Sequence, residues 1–277
     1  MRTNFPGPGS APANVSNTIA TLTPILSPFY SITTVSSPNV FITDSWQSST
    51  VLIIFPGGRD VPYCNSLNGS PNAAISSWVR HRGGKYLGFC AGGYYGSKRC
   101  EFEIGDKFLE VAGPRELGFF PGTCRGAAFG GFVYDKEDGA RAAELEINHE
   151  EFPWIKEDVK AYCNGGGLFV DADSMKERGV TVLARFKEKV KVDGGDAAIV
   201  HCKVGKGAAI LTGVHPEYVT PTTSLTVEYE RHNSIKRMVG LNSFESSMIS
   251  SLTTRDEAPF SAPCSLNWDL KSSQKMK

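Results

Sequence analysis

Short apolar runs bounded by glycine constrain the fold of this chain more than any other feature. Four of these runs predict buried strands, at Val51–Phe55, Lys85–Phe89, Ala198–Val204 and Ala208–Thr212. Their hydrophobicity is continuous rather than alternating, which is typical of a parallel sheet covered on both faces. Helical patterns lie between the early runs or next to them, at Asn14–Leu26, Asn72–Arg82 and Gly92–Arg99. The alternation predicts an α/β fold with a doubly wound, mainly parallel sheet flanked by helices.

The rest of the chain divides into two further regions. Residues 106–170 mix glycine, proline and aromatic residues without a clear period, which indicates an antiparallel excursion or a set of long loops. Towards the C-terminus the apolar density falls, and serine and threonine recur. We therefore expect one α/β domain over residues 1–240, followed by a weakly ordered Ser/Thr-rich tail over residues 241–277.

Charge and composition exclude several classes of function. Lys+Arg and Asp+Glu both number 29, so the net charge is zero. A nucleic-acid binder, or a protein held on anionic lipid, needs an excess or a patch of positive charge. The chain contains no apolar run long enough to span a membrane, and its first residues lack the apolar segment of a signal peptide. A small-molecule substrate is therefore the expected partner.

The cysteine spacing and the lack of metal-binding motifs argue against a disulfide framework and a metal site. The seven cysteines include no CxxC pair, which favours free thiols in a reducing, cytoplasmic setting over a disulfide framework. No HExxH, Cys₂His₂ or Walker motif occurs, so we expect no metal and no cofactor. Two carboxylates at the end of an apolar run are expected to form a turn rather than a cation site; they are Asp171 and Asp173.

The segment GFCAGG at residues 88–93 is the most informative about chemistry. An apolar strand runs directly into Cys90 and then into a helix, which is the layout of a nucleophile elbow with cysteine in place of serine. Small neighbours such as Gly92 allow the strained turn that exposes a nucleophile. The N-terminus of the following helix favours the thiolate, and the N–H of Ala91 is placed to contribute half of an oxyanion hole.

His215 is the best candidate for the base that a cysteine nucleophile needs. It follows the strand ending at Thr212, and Pro216 keeps it extended. Glu217 projects to the same side two residues later, where its carboxylate can orient the imidazole. The other histidines are poorer candidates because of their charged, intra-strand or tail positions; they are His81, His149, His201 and His232.

A third element follows the strand at Val51–Phe55. Gly57 and Gly58 open a loop in which backbone N–H groups can approach an anionic oxygen without a Cβ in the way. Gly58 is the expected second oxyanion donor, and a plain turn is the alternative. Four phenylalanines in the middle region are expected to pack in the core; they are Phe119, Phe120, Phe129 and Phe132.

Several segments together resemble a known family. FPGG (55–58), GFCAGG (88–93) and TGVHPEY (212–218) lie in the order and spacing of the class I glutamine amidotransferase-like superfold. The chain more closely resembles the N-terminal domain of fungal biotin–protein ligases, through the segments GPGS (7–10), FPGGRDVPY (55–63), GGKYLGFCAGGYYGSKRCEF (83–102), VAGPRELGFFPGTCRGAAFGGFVYD (111–135), YCNGGGLFVDAD (162–173) and ILTGVHPEY (210–218). The resemblance implies a flavodoxin-like sheet with Cys90 as nucleophile, His215 as base and Glu217 as third member.

The resemblance also implies further pocket residues, namely Gly7–Ser10, Asp60, Arg125 and the Asn164–Gly167 loop, which includes Gly165. Arg125 is a candidate clamp for a substrate carboxylate, with a structural ion pair as the alternative. No Gly-Arg-Gly-Arg segment of the biotin-ligase type occurs, so biotin transfer by this chain is not expected.

These residues predict a cysteine-dependent hydrolase or amidotransferase-like enzyme that acts on an amide or related acyl group. Two alternatives stay open. One is a non-catalytic binding or regulatory module that retains the pocket, and the other is an oxidant-sensing cysteine.

Overall fold

The computed structural model describes residues 9–27, 29–155 and 157–218. Its α-helices are α1 (Pro12–Leu26), α2 (Asp60–Leu67), α3 (Ser70–Arg82) and α4 (Ala91–Gly96). Its strands are β1 (Leu52–Phe55), β2 (Lys85–Phe89), β3 (Ser97–Phe102), β4 (Val111–Pro114), β5 (Phe120–Gly126), β6 (Arg141–Ile147), β7 (Val159–Cys163), β8 (Leu168–Phe169), β9 (Val180–Phe186), β10 (Ala197–Val204) and β11 (Gly207–Thr212). The predicted tail and the domain boundary near residue 240 lie outside the described residues, as do Gly7, Pro8 and His232.

The main sheet has seven strands in the order β1-β2-β11-β10-β9-β6-β7. The α/β prediction is confirmed, but the pairing is mixed rather than mainly parallel. Only β1 with β2 and β2 with β11 pair in parallel; the remaining neighbours are antiparallel. β10 and β11 join through a tight turn after Val204, which opposes Gly207, and so short a link permits only antiparallel pairing. The continuous hydrophobicity of the strands indicates that both faces of the sheet are buried. It does not indicate whether neighbouring strands run parallel or antiparallel.

A second sheet of four strands, in the order β4-β3-β5-β8, forms from the middle region. It agrees with the expected excursion, because β4 and β8 pair antiparallel with their neighbours. The helix predicted over Gly92–Arg99 is wrong at its end, because α4 stops at Gly96 and β3 begins at once. Ser97 closes the helix by donating its N–H to the carbonyl of Tyr94 and its hydroxyl to that of Gly93.

Two apolar cores lie on the faces of the main sheet. Consecutive residues of β1 alternate between them, with Phe55 in one and Ile54 in the other. The first core holds interlocked rings, including Phe55 stacked on Tyr86 with ring centroids 5.4 Å apart. The second receives α1 through Leu22 and Leu26. Since both faces are covered, the carboxyl ends of the parallel strands are where side chains can reach a ligand.

Three of the four phenylalanines that were expected in the core are buried. Phe119, Phe120 and Phe129 are buried as expected, whereas Phe132 is only partly buried and faces a cavity described below. Among the described residues, none of the helices is long and apolar enough to cross a membrane.

Candidate active site

Cys90 sits in a strained turn between β2 and α4. Its backbone has φ 47° and ψ −101°, a conformation that costs energy for any residue except glycine. The turn packs so closely that side chains are excluded around it: a Cβ on Gly92 would lie 2.2 Å from the carbonyl oxygen of Phe55, and one on Gly88 would lie 2.3 Å from that of Gly92. The N–H of Cys90 is bonded to the carbonyl of Thr212 at 2.9 Å, which ties the turn to the end of β11.

His215 and Glu217 follow β11 and form a buried pair. Nδ1 of His215 lies 2.7 Å from Oε1 of Glu217, and the two residues are 3% and 1% exposed. The His215 N–H is donated to the carbonyl of Tyr162 at 2.8 Å, and the Glu217 carbonyl accepts the hydroxyl of Thr21. Strand β7 therefore holds His215 and helix α1 holds Glu217.

The electrostatics of the site favour a charged imidazole. Burial lowers the pKa of His215, but the charges of Glu217 and Cys90, together with hydrogen bonds to both side chains, outweigh burial and raise the pKa to about 10. His215 is thus coupled on one side to the carboxylate and on the other to the thiol. The imidazolium supplies positive charge beside Cys90. This matters because α4 has only six residues and its dipole is correspondingly small.

Cys90 and His215 open into one cleft, called here the outer cleft, with a volume of about 490 Å³. Its rim includes Gly9 and Ser10 from the N-terminal segment and Asn14 from α1. Two tyrosines flank the imidazole: the rings of Tyr162 and Tyr218 stack 4.5 Å apart, and each makes an edge contact with His215. The sequence analysis gave neither ring a role; the one signal for them was their place in the segments 162–173 and 210–218 that carry the family resemblance.

The two predicted oxyanion donors border Cys90. Gly58 and Ala91 both line the cavity around the thiol. Residues 10 and 58 form an isolated bridge whose bonds run from Ala11 N–H to the carbonyl of Gly57 and from Arg59 N–H to that of Gly9. The Gly58 N–H takes no part in that bridge. A Cβ on Gly58 would lie 1.9 Å from the Gly9 oxygen, so only glycine fits there.

Gly57 and Gly92 support the site without lining it. A Cβ on Gly57 would lie 2.3 Å from Cε1 of His215, so the absence of a side chain makes room for the imidazole. Three other predicted residues do line the cavity next to Cys90: Asp60, Asn164 and Gly165. The Cys90 thiol donates to the carbonyl of Asn164 at 3.9 Å.

Arg125 does not reach the site, so its prediction as a pocket residue is wrong. Its guanidinium lies 2.8 Å from the Glu101 carboxylate and donates to the carbonyl of Asp193, and it lines neither cavity bordered by Cys90. The buried arginine beside the site is Arg115, which contacts Asp60 at 2.6 Å with only 6% of its side chain exposed. The one sequence signal for Arg115 was its place in the segment 111–135 that carries the family resemblance.

Asp171 and Asp173, which were expected to form a turn rather than a cation site, lie in a turn. Asp171 has φ 49° at the start of a 3₁₀ helix, and Asp173 is held by Arg185 at 2.6 Å. Across the residues that the structure describes, no group of three or more histidine, cysteine or acidic side chains is arranged to hold a metal ion.

Residues 4–255 match the sequence profile of the family described as "Biotin-protein ligase, N terminal". The chain belongs to this family. The chain is 40% identical over 214 residues to a biotin–protein ligase of Schizosaccharomyces pombe, covering 77% of this chain and 33% of the relative. It is also 36% identical over 211 residues to an uncharacterized protein of Chlamydia muridarum, covering 75% and 77% of the two chains. The chain thus spans about a third of the fungal ligase.

Solved structures share the fold of this chain. PurLQS from Thermotoga maritima matches with a TM-score of 0.57 at 17% identity, over 88% of this chain and 98% of that chain. A glutamine amidotransferase matches with a TM-score of 0.51 at 16% identity, over 86% and 98%. These likenesses confirm the predicted glutamine amidotransferase-like fold.

Proposed function

We propose that this chain is a cysteine-dependent hydrolase or amidotransferase-like enzyme acting on a small amide or related acyl substrate. The observation that carries the proposal is the buried Glu217–His215 pair, coupled to Cys90 in its strained turn. A nucleophile, a base and an orienting carboxylate in this order are what acyl transfer through a covalent intermediate requires.

The proposed reaction begins with attack of the Cys90 thiolate on the substrate carbonyl carbon. The carbonyl oxygen becomes an oxyanion, which the N–H groups of Gly58 and Ala91 are placed to stabilise. Collapse of this intermediate breaks the carbon–nitrogen bond, and the leaving amine takes a proton from the His215 imidazolium. The product of this half-reaction is a thioester on Cys90.

Water then completes the cycle. His215 accepts a proton as the water oxygen attacks the thioester carbon, and collapse expels the Cys90 sulfur and releases a carboxylic acid. Glu217 stabilises the imidazolium in both halves of the reaction through its contact with Nδ1. The burial of Glu217 strengthens this interaction, because solvent screens a buried pair of charges only weakly.

The cleft and the comparisons support a small amide rather than a polymer. A volume of about 490 Å³ falls in the range of small-molecule sites. One of the solved structures with this fold is named a glutamine amidotransferase. Biotin transfer is not part of the proposal, because the chain has no Gly-Arg-Gly-Arg segment and spans 33% of the fungal ligase. Six described cysteines are free thiols, which supports the proposed cytoplasmic setting.

Turnover and thiol reactivity together test the proposal. Wild type is assayed for release of ammonia or amine from glutamine, asparagine, small amides and esters, and Cys90 alkylation by iodoacetamide is followed across pH. We expect turnover that Cys90→Ala abolishes and Cys64→Ala retains, since Cys64 is half-buried and outside both cavities. If Cys90 reacts no faster than a free thiol and no substrate turns over while ligands still bind the cleft, the non-catalytic binding module is the better account.

A further inference from the structure

The N-terminus of α1 forms one wall of the outer cleft, which residues 11–14 line. The first N–H groups of a helix have no partner inside it, and the Ala11 side chain makes no capping hydrogen bond to them. Pro12 carries no N–H. Within the part of the chain that the structure describes, the N–H groups of Ala13 and Asn14 make no hydrogen bond. Two backbone donors are therefore available at the cleft.

The side chain of Asn14 adds a third donor. The residue is 8% exposed, and its Oδ1 accepts the hydroxyl of Tyr218, which fixes the direction of the amide. Nδ2 has no acceptor among the described residues. It keeps contact with solvent, because the fully enclosed side-chain atoms without a partner in the described chain are Thr50 Oγ1, Asn164 Oδ1 and Glu217 Oε2. A largely buried donor without an acceptor is costly, so a ligand oxygen would be stabilised there.

Nδ2 of Asn14 and the imidazole of His215 lie side by side. The Cβ that Gly57 lacks would lie 2.5 Å from Nδ2 and 2.3 Å from Cε1 of His215, so both atoms border the same point. Burial lowers the pKa of His215, but the charges of Glu217 and Cys90 raise it to about 10, so the ring is positively charged at neutral pH. The imidazolium and the N-terminus of α1 thus both favour a negative group at this point.

The charged side chains on the rim of the cleft balance one another; they are Arg59, Asp135, Lys136 and Glu137. Arg59 lies 2.6 Å from Asp135, and Glu137 accepts the hydroxyl of Tyr162 at 2.7 Å. The acidic side chains are therefore engaged, whereas the donors of α1 are not. Because the rim adds no net positive charge, the cleft favours a group with one negative charge over a dianion such as phosphate.

We propose that the outer cleft binds its substrate by a carboxylate, which accepts hydrogen bonds from Nδ2 of Asn14 and from the first N–H groups of α1. The carboxylate would lie beside His215, a few bonds from the carbonyl that Cys90 attacks. The substrate class is then a monoamide of a dicarboxylic acid without an ammonium group, because the imidazolium repels a second cation. The inference rests on the proposed function for the position of the carbonyl, but the cleft's preference for an anion can be measured without turnover.

Charge-selective labelling of Cys90 provides that measurement. In a methanethiosulfonate reagent, the thiolate attacks the sulfenyl sulfur, a disulfide forms and methanesulfinate leaves, so the reagent's tail remains beside Cys90. Rates are compared for the anionic carboxyethyl, the neutral aminocarbonylethyl and the cationic aminoethyl reagents, each divided by its rate with free mercaptoethanol. Peptide mass spectrometry reports Cys90 separately from the other thiols. We expect the anionic reagent to react about tenfold faster than its neutral isostere, the effect of one hydrogen bond to a charged group, and the cationic reagent to react more slowly than either.

Variants assign the preference to Asn14. Asn14→Asp keeps the size of the side chain and the acceptor for Tyr218, but it replaces the unpartnered donor with a negative charge, so it should abolish the anionic preference. Asn39→Asp is the matched control, because Asn39 is exposed and lines neither cavity bordered by Cys90, and it should leave the ratio unchanged. If Asn14→Asp does not fold, as circular dichroism would show, Lys136→Gln decides the matter. It removes a cation from the rim and should reduce the ratio several-fold.

The outcomes separate this inference from the proposed function. Wild type without anionic preference, or a folded Asn14→Asp that keeps the full preference, overturns the carboxylate site even if amides turn over. Anion-selective labelling without turnover of any amide would leave the site standing and remove the hydrolase. Where amides do turn over, kcat/KM should be about tenfold higher for glutaramate than for butyramide, which lacks the carboxylate, and than for glutamine, which adds an ammonium. Glutamine as the better substrate would contradict the proposed substrate class.

Discussion

Nδ1 of His215 lies 2.7 Å from Oε1 of Glu217, and their side chains are 4% and 0% exposed. The carboxylate can only accept, so the imidazole donates from Nδ1 and presents Nε2 towards the thiol. The sequence predicted an extended segment here, but residues 215–218 form a turn in which the Tyr218 N–H donates to the carbonyl of His215 at 3.2 Å, and the contact between residues two apart is made within that turn. One short segment therefore supplies both the base and the group that orients it.

Glu217→Gln should lower Cys90-dependent turnover by about 100-fold or more, because an amide neither stabilises the imidazolium nor fixes the proton on Nδ1. The rate of Cys90 alkylation at neutral pH should fall in the same direction. Glu144→Gln, an exposed change of the same kind, should leave both rates unaltered. Equal rates in wild type and Glu217→Gln would remove Glu217 from the mechanism.

Cys90→Ala should lower the pKa of His215 from its value of about 10. The thiolate stabilises the positive imidazolium, so its removal favours the neutral form, and protonation is then lost at a lower pH. Adding Glu217→Gln should lower the pKa further. The measurement is a pH titration of the imidazole ¹⁵N shifts by NMR. His201, whose pKa is lowered by burial in β10, serves as the control and should titrate alike in wild type and Cys90→Ala. An unchanged His215 titration would show that the two side chains are not coupled.

Gly57→Ala should impair the site while leaving the fold intact. The new Cβ would lie 2.3 Å from Cε1 of His215 and 2.5 Å from Nδ2 of Asn14, so the imidazole must move. We expect slower Cys90 alkylation and a loss of about 1–3 kcal/mol in the free energy of unfolding. Gly130→Ala meets nothing within 4 Å and should change that free energy by less than about 0.5 kcal/mol. Urea denaturation compares the two, and equal losses would contradict the close packing.

Arg115→Met should destabilise the protein by about 3–5 kcal/mol, because it leaves the buried carboxylate of Asp60 without its partner. The matched change is Arg125→Met, which breaks the more exposed pair with Glu101 and should cost about 1 kcal/mol or less. The free energies come from urea denaturation at constant pH. Similar losses for both would mean that burial adds nothing to the Asp60–Arg115 pair.

Elements with a local signature could be predicted from the sequence. Lys85–Phe89 is a strand with the bounds expected of it, and the segment 14–26 falls within α1. Ser97–Phe102 carried no such signature, and it was assigned in part to a helix. Its strand exists because it pairs with β4 and β5, which come later in the chain. Pairing partners distant in sequence leave no local pattern.

The same contrast holds for the candidate site. Cys90, His215 and Glu217 each follow a strong strand, so their position at the carboxyl edge of a sheet could be inferred. The prediction of Arg125 as a pocket residue was wrong, and Arg115 was not predicted. Only the packing of β3, β4 and α2 decides which guanidinium contacts Asp60. Phe132, expected in the core, is only partly buried and lines the cavities that Cys90 borders.

The sequence by itself determined the α/β class, the strained cysteine turn and the pairing of a histidine with a glutamate two residues on, because short-range sterics and burial fix each of these. The tertiary structure decided the mixed direction of the main sheet, the second sheet and the set of residues that lines the cavity around Cys90. Those features depend on contacts between segments far apart in the chain, where loop closure and close packing select among arrangements that are locally equivalent.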